Sequence, residues 1–519
     1  QYFMPYRELG VVKNASSDLL MNIEPEGNVS RLKIFATSAQ KDLHIVVMKG
    51  EKQVLDIIRD ITPETILEEW VPVDTLTGVR VSICNSKGKL LLSWEPEPNE
   101  IKEVPEPAKA ALDPKDIRTT EQLYLTGLHL EQYRHATYSA TDYYEEALSR
   151  DPDDVRNNNA MGLWLIRKGQ FAKAEPYLRR AVKTLTEKNP NPYDGEPLYN
   201  LGLSLKYQGK TDEAYDCFYK ACWNAAWQDA GYYSLAQLSA SKGNWEEALY
   251  EIDKSLLRNW HNLRGRHLKA VVLRHLGRVD EALALIRESL AIDRFNFGCS
   301  FEEYLLTGEK AVLDDLLVRM RSEGHNYEEL SLDYASAGCW EEALKVVEVA
   351  FEVVVSERTL LYYYKSWFLL SLDRLKEAEM AICVAEHQPA DCCFPNTLEA
   401  IMALQAVIRF ADVAPKAHYY LGNLWYDKRQ YPEAVAEWEK SVEQDDTFPT
   451  VLRNLSLAYF NKLNKQQEAV VLLERAFKLD IRDARILMEL DQLYKRLNRS
   501  HADRLDLLDK LKDVAFSRD

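Results

Sequence analysis

The stretch Tyr199–Ala221, YNLGLSLKYQGKTDEAYDCFYKA, constrains the fold more than any other part of the chain. Large apolar residues recur at Leu198, Leu201, Leu205, Tyr215 and Phe218, with small ones at Gly202, Ala214 and Ala221. That spacing predicts two amphipathic helices joined at Gln208–Gly209–Lys210. Gly202 and Ala214 then mark the crossing of the two helices, where a larger side chain would force them apart.

This spacing resembles a tetratricopeptide repeat (TPR), a helix pair that recurs every 34 residues or so. A chain of 519 residues is too long for one compact core, and length alone suggests about three domains. A solenoid escapes that limit because each repeat packs only on its neighbours. The small-residue pattern returns at Gly127, Ala140 and Ala147; at Gly162, Ala174 and Ala181; at Ala236 and Ala248; and at Ala270 and Ala282. It breaks over 294–324, resumes with Gly338, Ala343 and Ala350 and with Ser366, Ala378 and Ala385, and is strong again through Gly422, Trp425, Ala434 and Trp438. Ser456, Ala469 and Ala476 follow, then a polar terminal cap over 483–513.

The expected fold is mostly α: a TPR-like right-handed α-solenoid of about ten helix pairs, preceded by a small antiparallel β-sandwich-like domain. The β domain spans 1–95, where Leu32–Thr37, Leu43–Val47, Val79–Ile83 and Lys89–Trp94 are β-rich runs between turn signals. A Pro/Glu-rich connector covers 96–118. The array then divides into 119–293 (five repeats), an irregular helical insert at 294–324, repeats over 325–390, a long helix within 391–414, and the C-terminal repeats and cap over 415–519. The chain opens on Gln1, as a piece of a longer protein would.

Composition excludes several functions. A formal charge of −17 argues against a nucleic-acid binder, since phosphate binding rests on clustered Lys and Arg. No apolar run is long enough to span a membrane. The eight cysteines form no CxxC pair and mostly fall on apolar helical faces, which predicts buried thiols in a reducing, cytoplasmic setting. Cys392–Cys393 is a weak candidate for a metal or redox site; no metal and no cofactor is expected.

Beyond TPR spacing, GLHLEQYRHATY (127–138), NPNPYDGEPLYNLGLSLKYQG (189–209), WNAAWQDAGY (223–232) and YYLGNLWYDKRQYPEA (419–434) carry a wider resemblance. They are similar to the C-terminal half of large bacterial TPR proteins of uncharacterised function. In that family a galactose-mutarotase-like domain precedes the array. The resemblance covers nearly the whole chain; it places such a domain upstream of Gln1 and implies a carbohydrate-related role.

Two sets of residues are candidates for a site. If Gly127, Gly162, Gly202, Ala236 and Ala270 are equivalent, the inner helices present Tyr124, Arg156, Asn159, Arg167, Tyr199, Lys206, Tyr207, Tyr233, Arg264, His267 and Arg274 to a groove. A basic, aromatic groove on an acidic chain suits an acidic peptide, a carboxylate or a hydroxyl-rich ligand. The plainer alternative is an ordinary solvated face whose charges meet carboxylates of the next helix. The carboxylate clamp of chaperone-binding TPRs is not reproduced, since only Asn200 falls into register.

The second set is His129, Glu131, Arg134 and His135 with Trp223, Trp227 and Asp229, none of which TPR packing demands. Glu131 and His135 share a helix face, but such a pair is more often a structural contact than an acid–base dyad. The set reads as an interface with the β domain, the connector or an upstream domain. The expected function is therefore a non-catalytic scaffold for a protein or peptide partner or for its own upstream domain. The alternative is the recognition half of a carbohydrate-active protein.

Overall fold

The computed structural model describes residues 6–97, 106–107, 109–133, 137–355, 359–390 and 393–517. Its contacts divide the chain into two units, Gln1–Lys109 and Ala110–Asp519.

Among its described residues the first unit holds eight antiparallel strands: β1 (Asn14–Ala15), β2 (Leu19–Glu26), β3 (Val29–Ala36), β4 (Gln40–Lys49), β5 (Lys52–Ile61), β6 (Leu67–Val71), β7 (Val79–Cys84) and β8 (Leu90–Trp94). They form two four-stranded sheets, ordered β1-β2-β3-β6 and β5-β4-β7-β8. Strand β3 alternates strictly, burying Leu32, Ile34 and Ala36, as a strand with one face on a core must. Residues from both sheets, such as Ile23, Ile34, Ile45 and Val81, share one core, the mark of a sandwich. Strand β2 escaped the sequence reading because Leu19 to Ile23 are all buried, which removes the alternation.

The second unit is a TPR-like solenoid. Among the described residues it has eleven helix pairs, one unpaired helix and a four-residue terminal helix, Lys512–Ala515. The first helices of the pairs are Thr120–Gln132, Val155–Arg167, Glu196–Tyr207, Gln228–Ser241, Leu263–His275, Phe297–Thr307, Gly324–Ser336, Thr359–Ser371, Pro415–Asp427, Pro449–Lys462 and Ala484–Arg496. The unpaired helix, Leu398–Phe410, lies between the eighth and ninth pairs. The insert foreseen at 294–324 contains a full pair, Phe297–Thr307 and Lys310–Met320. Its small residue is Gly298, seated on the His267 ring.

The repeated small residues have a steric cause. A methyl group at Gly202 would stand 2.6 Å from the Phe218 ring, and one at Gly422 would stand 2.4 Å from the Trp438 indole. Ala214, Ala236, Ala270 and Ala434 are fully buried. The turns between paired helices use a left-handed residue, such as Gly209 at φ 76°. Later repeats fill that place with Asp373, Arg429 and Asn464, so the glycine signal fades toward the C-terminus.

The array also folds back on itself, so that pairs two to five meet pairs seven to nine. Lys173 Nζ donates to Glu433 at 2.7 Å, and the Tyr207 hydroxyl donates to Glu399 at 2.8 Å. Gly169 combines a positive φ of 73° with a close approach: a Cβ there would come within 2.4 Å of Ile401 Cδ1. Among the described residues no helix is long and apolar enough to cross a membrane.

Candidate functional site

The first helices of the early pairs carry the predicted inner residues, and each meets a definite partner. In the first two pairs, the Arg156 guanidinium lies over the Tyr124 ring and donates to Glu121 at 3.1 Å. Arg167 pairs with Glu131, which also accepts from the Tyr144 hydroxyl at 3.1 Å. Asn159 Oδ1 accepts from Asn200 Nδ2 at 2.9 Å, which joins the second and third pairs. Tyr199 stacks on Trp227 with ring centres 4.9 Å apart.

Deeper in the array the partners come from far along the chain. Lys206 Nζ donates to Gln237 at 2.7 Å, and Gln237 Nε2 donates onward to Ser336 at 2.7 Å. Burial pushes the Lys206 ammonium down to about 8, against the pull of the Glu399 charge. Burial likewise raises the Tyr207 and Tyr233 hydroxyls, and neighbouring carboxylates raise them further. Arg264 donates to Glu329 at 2.7 Å and lies 3.3 Å from Asp333. Burial lifts the Asp333 carboxyl to about 7; Arg264 opposes the rise, while Glu329 and Glu399 add to it. Arg274 bridges Glu302 at 2.7 Å and Glu342 at 2.8 Å, and Tyr334 donates to the same Glu302 at 2.7 Å.

His267 lies at the centre of this wall and is only 4% exposed. Its Nε2 is buried with no hydrogen-bond partner among the described residues. Burial, with Arg274 and Arg264 close by, holds its imidazole at about 3 and therefore neutral. Beside it opens a cavity of about 170 Å³, lined by Arg264, His267, Phe295, Phe297, Glu329 and Asp333 among others.

Of the second predicted set, Glu131 is held by Arg167 and Tyr144, and His129 packs on the Tyr133 ring at 4.5 Å. Asp229 accepts from Ser255 at 2.8 Å, Asn259 at 2.8 Å and Asn262 at 3.1 Å, so it fastens the fourth pair to the start of the fifth. Trp223 is 58% exposed and lies under the Lys220 ammonium. Arg134, His135 and Cys392 lie outside the described residues.

His275, Cys339 and Glu342 bring donor atoms within 4.8 Å of one another. Such a trio has the chemistry of a soft divalent site. Here, however, Arg274 already holds Glu342, and burial raises the Cys339 thiol, so a positive ion would meet a guanidinium and a protonated sulfur.

The residues that sequence reasoning missed are the opposing ones: Gln237, Glu302, Glu329, Asp333, Ser336 and Glu399. Their partners lie up to 192 positions away. Only the return of the array could have revealed them.

Comparison with known proteins bears on both units. Residues 14–94 match the model described as "YphG-like protein, second domain". Residues 195–222 and 396–448 match tetratricopeptide-repeat models. The human tetratricopeptide repeat protein 7A is 34% identical over 99 residues, which are 19% of this chain and 11% of that protein. Among solved structures, MamA is 21% identical over 34% of this chain and 92% of its own, with a TM-score of 0.30. A tetratricopeptide repeat protein from Parabacteroides merdae is 15% identical over 61% of this chain and 98% of its own, with a TM-score of 0.26. The chain thus carries TPR repeats and a YphG-like domain.

Proposed function

We propose that the chain is a non-catalytic scaffold whose TPR array holds a protein or peptide partner along the first helices of its repeats, through their cationic and aromatic side chains. TPR repeats as a class suggest such a role. The observation that carries the reading is the state of Arg156 and Arg167. Their side chains are 49% and 58% exposed, and each is paired with a carboxylate of the preceding pair. The exposed Arg156–Glu121 pair contributes about 0–1 kcal/mol, whereas Glu131, only 16% exposed, holds Arg167 more firmly. A partner's carboxylate could therefore replace Glu121 on Arg156 at little cost.

The test is fluorescence anisotropy with a labelled glutamate-rich decapeptide on the full chain. Binding should weaken at least about tenfold in the Arg156→Glu, Arg167→Glu double variant, with the helical circular dichroism of the folded chain retained. A lysine-rich peptide that binds better, or no effect of the double reversal, refutes the reading.

A second reading is favoured by the match of residues 14–94 to a second domain. In it the array is the recognition half of a carbohydrate-active protein, and exposed Trp223, with Trp227 and His129, meets a domain upstream. Binding of oligosaccharides by this chain alone would support that reading over the first.

A further inference from the structure

A solenoid repeat packs on its neighbours, so contacts between distant repeats are not demanded by the fold. Several of them gather here around the unpaired helix, Leu398–Phe410. On one side it packs against the first helices of the eighth and ninth pairs, with Ala400, Leu404 and Val407 fully buried. Its leading turn reaches the other way. Glu399 accepts from the Tyr207 hydroxyl at 2.8 Å, and its charge acts on the Lys206 ammonium. Leu398 and Met402 pack on the core of the first four pairs. Ile401, with Trp425 of the ninth pair, lies against the turn of the second pair: a Cβ on Gly169 would stand 2.4 Å from Ile401 Cδ1 and 2.9 Å from the Trp425 ring.

The candidate groove is therefore divided. Arg156 has half its side chain in water, whereas Tyr207, stacked on Phe171 with ring centres 4.6 Å apart, lies under a carboxylate of the same chain. Glu399 holds on Tyr207 the kind of place that a partner's carboxylate takes on Arg156.

The closure also sets like charges against each other. Lys168 ends the first helix of the second pair, and Lys428 and Arg429 follow the first helix of the ninth. Burial lowers the Lys168 ammonium, and the charges of Arg429 and Lys428 lower it further; Asp427 and Glu131 oppose them. An anionic partner at this seam would relieve that repulsion. The ion pair across it, Lys173 with Glu433, has a lysine side chain 60% exposed, and such a pair is weak. Opening would leave each repeat packed on its sequence neighbours and lose only the contacts across the closure.

We propose that the return of the array is an autoinhibitory latch: Leu398–Phe410 stands in for the partner on the third pair, and a carboxylate-rich peptide segment displaces Glu399 from Tyr207 and opens the array. The inference rests on the partner-binding reading for the displacing ligand. A latch of this kind lowers the apparent affinity by the fraction of chains that are open, so releasing it tightens binding.

The test uses the full chain and the glutamate-rich decapeptide. The Lys173→Glu, Glu399→Gln variant should bind the peptide about tenfold tighter than the wild type, although it is the more acidic protein. The charge swap Lys173→Glu, Glu433→Lys rebuilds the ion pair and should bind as the wild type does, which guards against misfolding. Saturating the wild type with peptide should raise hydrogen exchange in Leu398–Phe410 and in the turn at Gly169, a change that a purely structural contact would not show. Unchanged or slower exchange there, no gain in the latch variant, or no binding by either protein overturns the proposal. Wild-type binding that needs Arg156 and Arg167 but ignores the latch variant overturns the latch and leaves the partner-binding reading standing. Tighter binding by the latch variant that ignores Arg156 and Arg167 supports the latch and removes their role.

Discussion

Trp438 and Gly422 form a lock whose two halves can be removed separately. Trp438 is 2% exposed; its indole N–H donates to the Tyr419 carbonyl at 3.2 Å and to Asn423 Oδ1 at 3.1 Å. Trp438→Ala should cost about 3–5 kcal/mol from the lost transfer energy and the cavity left behind. Gly422→Ala alone gains about 1 kcal/mol of helix propensity. It also places a methyl 2.4 Å from the indole, which overpacking penalises by about 1–3 kcal/mol, so the net effect is destabilising. With the indole gone the same methyl enters empty space and only the propensity gain remains. Gly422→Ala should therefore change sign between the two backgrounds, with a coupling of about 1–3 kcal/mol in a double-mutant cycle. A solenoid unfolds in parts when its cooperativity breaks. The assay is therefore hydrogen exchange of peptides within Pro415–Gln444 under native conditions. A stabilising Gly422→Ala in the wild-type background would refute the reasoning.

Three further outcomes are expected. Ala214→Leu, at a fully buried crossing, should cost about 1–3 kcal/mol by overpacking, read by denaturation of the full chain. Tyr207→Phe should strip Glu399 of its donor and cost about 1.5–3 kcal/mol, raising exchange in the helix Leu398–Phe410 that Tyr207 reaches. Asp333, faced by Arg264, Glu329 and Glu399, has a folded pKa of about 7 against 3.8 unfolded, so between those values the folded state holds more protons. Its contribution to stability is fully present below about pH 4 and is lost as pH rises to about 7, by at most about 4 kcal/mol. Asp333→Asn should abolish that slope, so the variant gains on the wild type as pH rises across the window; a flat difference between the two melts would contradict this. Glu175 and Glu342, both held at about 2, lose their contributions only below this range.

What the sequence disclosed depended on the distance between partners. Gly202 faces Phe218, sixteen positions away in its own repeat, and the small-residue period recorded that contact directly. The sixth pair was missed because Gly298 packs on His267 of the preceding pair instead of on its own second helix. The placement on one helix of each pair was legible, since Arg156, Tyr199, Lys206 and Arg264 all sit on first helices. Their electrostatics were not legible. Whether Lys206 is an open cation or a buried one depends on Gln237 and Glu399, and Asp333 acquires its raised pKa from burial when the seventh pair packs on the fifth, against the opposing charge of Arg264. Asp229 and Glu131 were noticed because helix crossing does not need them, and both prove to be fully engaged in hydrogen bonds or ion pairs. In the β unit, the alternation of β3 was visible in the pattern, while the fully buried start of β2 and the largely exposed β5 and β6 were not.

The account turns on which helix face meets the partner. Photo-crosslinking of the full chain with a glutamate-rich decapeptide bearing benzoylphenylalanine, with adducts mapped by mass spectrometry, asks this directly. Adducts should fall on the first helices, above all Val155–Arg167 and Glu196–Tyr207, and should be lost with Arg156→Glu, Arg167→Glu. Adducts confined to second helices such as Thr211–Ala221 and Trp245–Arg258, or to the β unit, would contradict it.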